Sequence, residues 1–282
     1  MVDRPLQRVS VHGGHSAEFC SHADDALEDI VRTYIERGFS WVGITEHIPP
    51  ARDELIPQEE RAVGLSVGGL RARFASYIQK CRNLQRDYST QIEILVGFEA
   101  EIYSAYRPFL KGLIDEYRPD YIVGSVHHVN DVPFDVSPEL YTEAAKTSGG
   151  LEALYCDYFD LQLTLIEDFE PEVVGHFDLI RLFDADYRAR LKRAAVWERV
   201  ERNLERIREL GLILDFNVRP LAAGQSEPYV SAPILRRARE LDIAIAPGDD
   251  SHGVAGVGLR CDEGMRILGA SGFPTRWPKP GS

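Results

Sequence analysis

The chain has 282 residues, 44% hydrophobic and 27% charged, which suits one large globular domain or two small ones. A formal net charge of −13 argues against broad contact with a nucleic-acid backbone, which needs a basic stripe, yet permits a small anion held through bound cations. No apolar run reaches the ~18 residues of a membrane span and the first 20 residues lack the continuous apolar core of a signal peptide, so the expectation is a cytoplasmic protein with no membrane partner.

In chain order, strand-like apolar runs fall at Arg8–His12, Trp41–Thr45, Ile92–Phe98, Tyr121–Val126, Val173–His176, Leu212–Asn217 and Ile243–Pro247. Segments of helical period lie between them. In the first, Leu27, Ile30, Val31 and Tyr34 share a face; Asp25 with Glu28 predicts a capping-box variant, and Gly38 a stop. Val196, Val200, Leu204, Ile207 and Leu210 mark another, ending at Gly211, and Leu235, Ala238 and Leu241 a third. Two long connections, Ile48–Ser66 and Val129–Gly150, follow the second and fourth strands, and Gly269–Ser282 predicts an irregular tail.

Seven βα units with continuous apolar strands call for a parallel sheet covered by helices, an α/β fold in a single domain. A closed barrel accounts for the count better than an open sheet, although periodicity does not decide between them. In a barrel, both long connections would rise from the face where the strands end, the face that carries active sites.

Four cysteines, Cys20, Cys81, Cys156 and Cys261, are widely spaced, which is neither a disulfide framework nor a zinc-finger pattern. Cys81 and Cys156 fall in helical segments and read as buried thiols; Cys20 sits among the first histidines and is left open.

The chain has eight histidines, His12, His15, His22, His47, His127, His128, His176 and His252. Each lies at the carboxyl end of a predicted strand or in the loop after it. Glu99 and Asp250 also lie just past strand ends. In a parallel barrel those ends converge on one face, and the residues with them. Taken singly, a histidine after a strand is more often a hydrogen-bonded loop residue than a ligand; together they point to a metal centre. Imidazole and carboxylate suit zinc, manganese, iron or cobalt. Nine such ligands exceed the four to six of one ion, and suffice for two or three divalent ions if Glu99 bridges. His128 is the spare, because a continuing strand would turn it away from His127.

These positions resemble, in order, the motifs of the PHP (polymerase and histidinol phosphatase) superfamily. Val11-His12-Gly13-Gly14-His15 with Phe19-Cys20-Ser21-His22 is similar to its opening His-x-His and third histidine. Thr45-Glu46-His47-Ile48-Pro49 resembles T-E-H-x-P, and Gly97-Phe98-Glu99 the bridging glutamate. Ser125-Val126-His127 resembles S-x-H, Gly175-His176-Phe177-Asp178 G-H-x-D, and Asp250-Ser251-His252 the closing D-x-H. Each motif is weak alone; six in order over about residues 8–258 are specific.

The resemblance implies a distorted (β/α)7 barrel. It implies one metal on His12, His15, Glu99 and Asp250, a second helped by His22 and His47, and a cluster completed by His127, His176 and His252. One departure is the Gly13-Gly14 pair, where the family has a single residue; a glycine bulge still allows both imidazoles to face inward. Thr45–Pro49, Ser125–Asp135, Gly175–Arg181 and Leu214–Asn217 are most similar to the stand-alone histidinol-phosphate phosphatases. There the family's N-T-S-G is replaced by Asn217-Val218-Arg219-Pro220, which bears on the choice of substrate.

That likeness implies hydrolysis of a small phosphorylated substrate, L-histidinol phosphate, by coordinated water, with Glu99, Asp250 and His252 as catalytic residues. Arg181 and Arg219 lie a few residues past strand ends, where a guanidinium can reach phosphate. Asp135 or Glu227 could take a substrate ammonium, and His128 could touch substrate; the ordinary reading of each is a solvated loop residue or a surface ion pair. Competing readings are a PHP phosphoesterase acting on nucleotides or oligonucleotide ends, an amidohydrolase, and a metal-binding module without turnover. Many amidohydrolases need a bridging lysine at a strand end, and Lys80, Lys111, Lys146, Lys192 and Lys279 all fall elsewhere.

Overall fold

The computed structural model describes residues 6–281. Seven parallel strands form one sheet: β1 (Arg8–Ser10), β2 (Phe39–His47), β3 (Glu93–Glu101), β4 (Tyr121–Ser125), β7 (Val173–Val174), β8 (Ile213–Asn217) and β9 (Ala244–Gly248), in that spatial order. The pair β5 (His128–Val129) and β6 (Val132–Pro133) is a separate antiparallel hairpin. The first and last strands meet: the Val11 amide donates to the Pro247 carbonyl and the Asp250 amide to the His12 carbonyl, both at 2.8 Å. The sheet is therefore a nearly closed barrel, the distorted (β/α)7 form expected.

Helices α1 (Leu27–Glu36), α3 (Val67–Asp87), α4 (Tyr106–Tyr117), α6 (Leu151–Phe169), α8 (Ala194–Leu210), α10 (Ala232–Glu240) and α11 (Cys261–Ala270) follow successive barrel strands. Shorter helices α2 (Gln58–Ala62), α5 (Pro138–Ser148), α7 (Tyr187–Arg190) and α9 (Arg219–Ala222) lie in the connections. The periodic residues face inward as their spacing requires: Leu27, Ile30, Val31 and Tyr34 on α1, and Val196, Val200, Leu204 and Ile207 on α8, are all fully buried. Cys81 lies in α3 and Cys156 in α6. No described helix is long and apolar enough to cross a membrane.

Four local expectations are corrected. Asp25 adopts a left-handed φ of 65° and accepts from the Val254 amide, so it makes no capping box; the Leu27 amide donates to Glu18 instead, at 2.8 Å. β3 runs on to Glu101 rather than stopping at Phe98, and β7 ends at Val174, two residues before His176. The tail is irregular only beyond Ala270, and it packs: Phe273 and Trp277 are buried, and Trp277 Nε1 donates to the Gln7 carbonyl at 2.8 Å.

The barrel interior is filled from its own strands. Tyr121 lies across it and donates to the Val11 carbonyl at 2.6 Å. Gly43 makes room, since a Cβ there would stand 1.7 Å from the tyrosine hydroxyl.

Candidate metal centre

Each strand end delivers its polar side chains to one rim. In the β2–β3 register His47 pairs with Glu99. Period two then puts Glu101 on the same face as Glu99. His176 and Asp250 leave the sheet with φ of 20° and 46°, turning their side chains back over the barrel mouth. The opening loop does the same through Gly14, whose φ is 80°, while the Gly13 amide donates to Thr45 Oγ1 at 3.1 Å. His12 and His15 are both fully buried over the rim despite the two-glycine spacer.

Glu99 lies at the centre. Its Oε1 is 2.9 Å from His176 Nε2, 3.4 Å from His127 Nε2 and 3.5 Å from His12 Nε2, and its Oε2 is 2.9 Å from His47 Nδ1. Burial would push this carboxyl up, but His12, His127 and His47 pull it well below the ordinary range. Asp250 Oδ1 lies 3.4 Å from His15 Nε2 and 3.6 Å from His252 Nδ1. Burial opposes its ionisation too; Arg219 and His12 outweigh it. The His22 ring is 4.9 Å from that of His252 and 5.3 Å from that of His47. All nine residues singled out as ligands thus stand round one rim.

The donor set fits metal ions. Nε2 of His12, His15 and His47 is buried in each case without a hydrogen-bond partner, a costly arrangement for a polar nitrogen unless a cation is meant to meet it. Potential ligand atoms within 4.8 Å of one another form several overlapping groups: His12 with His15 and Asp250; His12 with Glu99 and His176; His15 with His47 and Glu99; His47 with Glu101 and His127; and Cys20 with His22, His47 and His252. One ion cannot satisfy all of them, so the rim can hold more than one.

A cavity of about 720 Å³ opens above this rim. Both long connections line it, through Ile48, Pro50 and Ile56 from the first and Asp131, Pro133 and Asp135 from the second. Arg219 lies on its wall, Nη1 3.4 Å from Asp250 Oδ2 and 3.4 Å from His252 Nε2. His128 also lines it. The strand expected to turn His128 away ends at Ser125, so His127 and His128 both approach Glu101, at 3.4 and 3.7 Å.

Arg181 and Glu227 do not line the cavity. Arg181 is 4% exposed; its Nη2 donates to the carbonyls of Glu227 and Pro228 and its Nη1 to Gln225, and its guanidinium lies 4.5 Å from the Tyr229 ring. In this geometry it fastens the Gln225–Tyr229 loop beside the site. Glu227 accepts from Tyr187, Arg188 and the Ala232 amide, which leaves it no free face for a substrate ammonium.

Sequence reasoning missed several polar residues at the rim: Glu101, Asn217, whose Nδ2 donates to Asp250 Oδ2 at 3.1 Å, and the buried carboxylates Glu46 and Asp215. Cys20, left open, is buried with its Sγ 3.2 Å from His22 Nδ1. The two-residue offset of Glu101 from Glu99 becomes a signal only once the strand is known to run past Phe98.

The model of the PHP domain family matches residues 13–219. A Schizosaccharomyces pombe protein named "Probable histidinol-phosphatase" is 38% identical over 256 residues, covering 89% of this chain and 82% of that one. The Saccharomyces cerevisiae protein named histidinol-phosphatase is 26% identical, covering 91% and 87%. Among solved structures, a Listeria monocytogenes chain assigned as a histidinol phosphatase superposes with a TM-score of 0.78 at 26% identity, over 89% of this chain and 97% of that one. Histidinol phosphate phosphatase from Lactococcus lactis, solved with zinc, L-histidinol and phosphate, gives 0.69 at 21% identity, over 95% of each chain. With the motifs, the barrel and the rim in agreement, this chain belongs to the PHP domain family.

Proposed function

We propose that the chain is a metal-dependent phosphomonoesterase that hydrolyses L-histidinol phosphate to L-histidinol and phosphate, a small-molecule enzyme of the cytoplasm. The observation that carries this is the ring of seven histidines with Glu99 and Asp250 beneath a half-open cavity with Arg219 on its wall. The relatives that match over 82% and 87% of their own length, and the activity in their names, support the substrate.

His12, His15, Glu99 and Asp250 would hold one ion, His22, His47 and His252 another, and His127 and His176 with Glu99 a third. Such ions neutralise phosphoryl oxygens and lower the pKa of coordinated water. The side chains supply the rest. Arg219 offers Nη1 to a phosphoryl oxygen, a charge-assisted contact. Asp250 stays ionised, held by Asn217 and Arg219, and can accept a hydrogen bond or a proton through Oδ2. Ile48, Pro50, Ile56, Leu70 and Phe74 give the cavity an apolar wall for an imidazole, and Asp135 at its rim can pair with an ammonium. Both long connections help close the cavity against water. They are tied together by Arg52 Nη2, which donates to Asp131 Oδ2 at 2.6 Å.

The test is phosphate release from L-histidinol phosphate, nucleoside monophosphates and short DNA, with metal analysis of the same samples. Histidinol phosphate is expected to be turned over fastest, and His176→Ala to slow it by roughly 100-fold with the fold kept. Equal or faster release from nucleotides or DNA would defeat the substrate assignment, and near-normal turnover in His176→Ala would defeat the metal mechanism.

A further inference from the structure

Two carboxylates outside the expected ligand set stand against the opening histidines. Asp215 Oδ2 lies 2.9 Å from His12 Nδ1, and Glu46 Oε1 lies 2.9 Å from His15 Nδ1. All four residues are within 2% of full burial. The other nitrogen of each ring faces the rim: His12 Nε2 is 3.5 Å from Glu99 and His15 Nε2 3.4 Å from Asp250, neither with a hydrogen-bond partner. An imidazole has one proton to place when neutral. A carboxylate at Nδ1 claims it and leaves the Nε2 lone pair free.

We propose that Glu46 and Asp215 are positioning residues of the metal centre, each fixing the tautomer and ring orientation of one histidine so that Nε2 is the atom presented to the ion. This rests on the metal-centre reading given above. Burying a carboxylate costs several kcal/mol unless it is paired and hydrogen-bonded, so neither residue is an indifferent filler. Their remaining bonds strengthen the case. Asp215 Oδ2 also lies 3.2 Å from the His176 amide, and Glu46 Oε1 lies 3.1 Å from the His47 amide. Each carboxylate therefore ties the ring of an opening-loop histidine to the backbone of a later one, His176 just beyond β7 for Asp215 and His47 at the end of β2 for Glu46. The spacing between ligands from distant parts of the chain is set at these two points.

The fold makes room for the arrangement. A Cβ on Gly248 would stand 2.1 Å from Asp215 Oδ1 and 3.1 Å from His12 Cβ. Glycine at that position lets strand β9 pass beside the pair. Asp249 offers a contrast: it is also buried in the same region but bonds Ser10, Tyr34 and the Gly258 amide, and touches no histidine ring.

The experiment uses the full chain. Long-range nitrogen–proton NMR of the zinc-loaded wild type is expected to show His12 and His15 protonated at Nδ1 and metal-bound at Nε2. Coordination through Nδ1 at either ring would overturn the proposal without any variant being made. Zinc affinity by chelator competition, with no substrate present, is then compared for Asp215→Asn, Glu46→Gln and the control Asp184→Asn, a buried carboxylate that contacts Tyr155 and Arg190. The first two are expected to weaken zinc binding by about 10- to 100-fold. The control is expected to bind zinc within about twofold of wild type even if its Tm falls. Wild-type affinity in both Asp215→Asn and Glu46→Gln, or an equal loss in the control, would overturn the proposal. Such a result would leave the phosphatase assignment standing, because no turnover is read.

Discussion

His47 Nδ1 lies 2.9 Å from Glu99 Oε2 and 3.5 Å from Glu101 Oε1, so one imidazole faces two carboxylates. Burial works against its charge, but Glu99 and Glu101 prevail and hold His47 up to about 10 when no metal is bound. The ordinary value is about 6.5, so the raised group stabilises the metal-free fold fully below that pH. That contribution is lost as pH rises through 10. A metal ion binds neutral imidazole, so it must expel this proton. Zinc binding near pH 7 is therefore expected to release at least one proton per chain and to tighten as pH rises. Calorimetry in two buffers of different ionisation enthalpy measures the release; identical heats in both would contradict it.

Glu99 is within 3.5 Å of four histidine rings, and no other carboxylate among the described residues reaches as many. Its neutral analogue cannot bridge cations or balance their charge. Glu99→Gln is expected to lose at least one metal equivalent per chain and to slow phosphate release by about 100-fold or more, since even the outer contacts of a metal site are worth 10–100-fold. Metal analysis beside a rate assay separates the two effects. Full stoichiometry with near-normal rate would remove Glu99 from the centre.

Much of this is legible in the sequence, because a parallel barrel converts sequence position into place: whatever follows a strand lands on the same rim. His12, His47, Glu99, His176 and Asp250 could be brought together on that rule alone. Glu101 was hidden because the apolar run stops at Phe98 while the backbone pairing with β4 continues to Glu101. Asp215 was hidden for a different reason: it sits inside the apolar run Leu212–Asn217, two residues short of the strand end at Asn217 where that rule looks for site residues. Arg181 and Glu227 show the limit of the rule. Both follow strands, but the chain folds them onto each other's loop instead of into the cavity, and such tertiary pairing has no signature in linear spacing.

Arg219 begins α9 with its side chain half exposed on the cavity wall, beside Asp250 and His252. Under the proposed function, a guanidinium there would meet the phosphoryl end of the substrate in both ground and transition states. Arg219→Ala is expected to raise KM for the phosphomonoester by about 10- to 100-fold, equivalent to ~1.4–2.7 kcal/mol, with a smaller fall in kcat. Arg219→Lys should recover part of that loss, since charge returns without the planar fork. Steady-state kinetics on both variants decides it; an unchanged KM in Arg219→Ala would leave the residue as a partner of Asp250 only.

The barrel under the site can be tested independently of chemistry, through the close approach of Gly43 and Tyr121. A Cβ on Gly43 would stand 1.7 Å from the Tyr121 hydroxyl and 2.8 Å from Cζ. The ring is 1% exposed, and its hydroxyl is anchored on the Val11 carbonyl, so it cannot swing away into solvent. Gly43→Ala is expected to destabilise the protein by about 1–3 kcal/mol or more, the usual cost of overpacking. Tyr121→Phe alone should cost about 1 kcal/mol, by leaving the carbonyl without its donor. With the hydroxyl gone, the methyl of the double variant meets Cζ at a distance a small ring shift can relieve. The double variant should therefore be more stable than the sum of the two single losses predicts. Thermal unfolding of all four proteins measures that coupling, and strict additivity would mean that the strands do not approach through this contact.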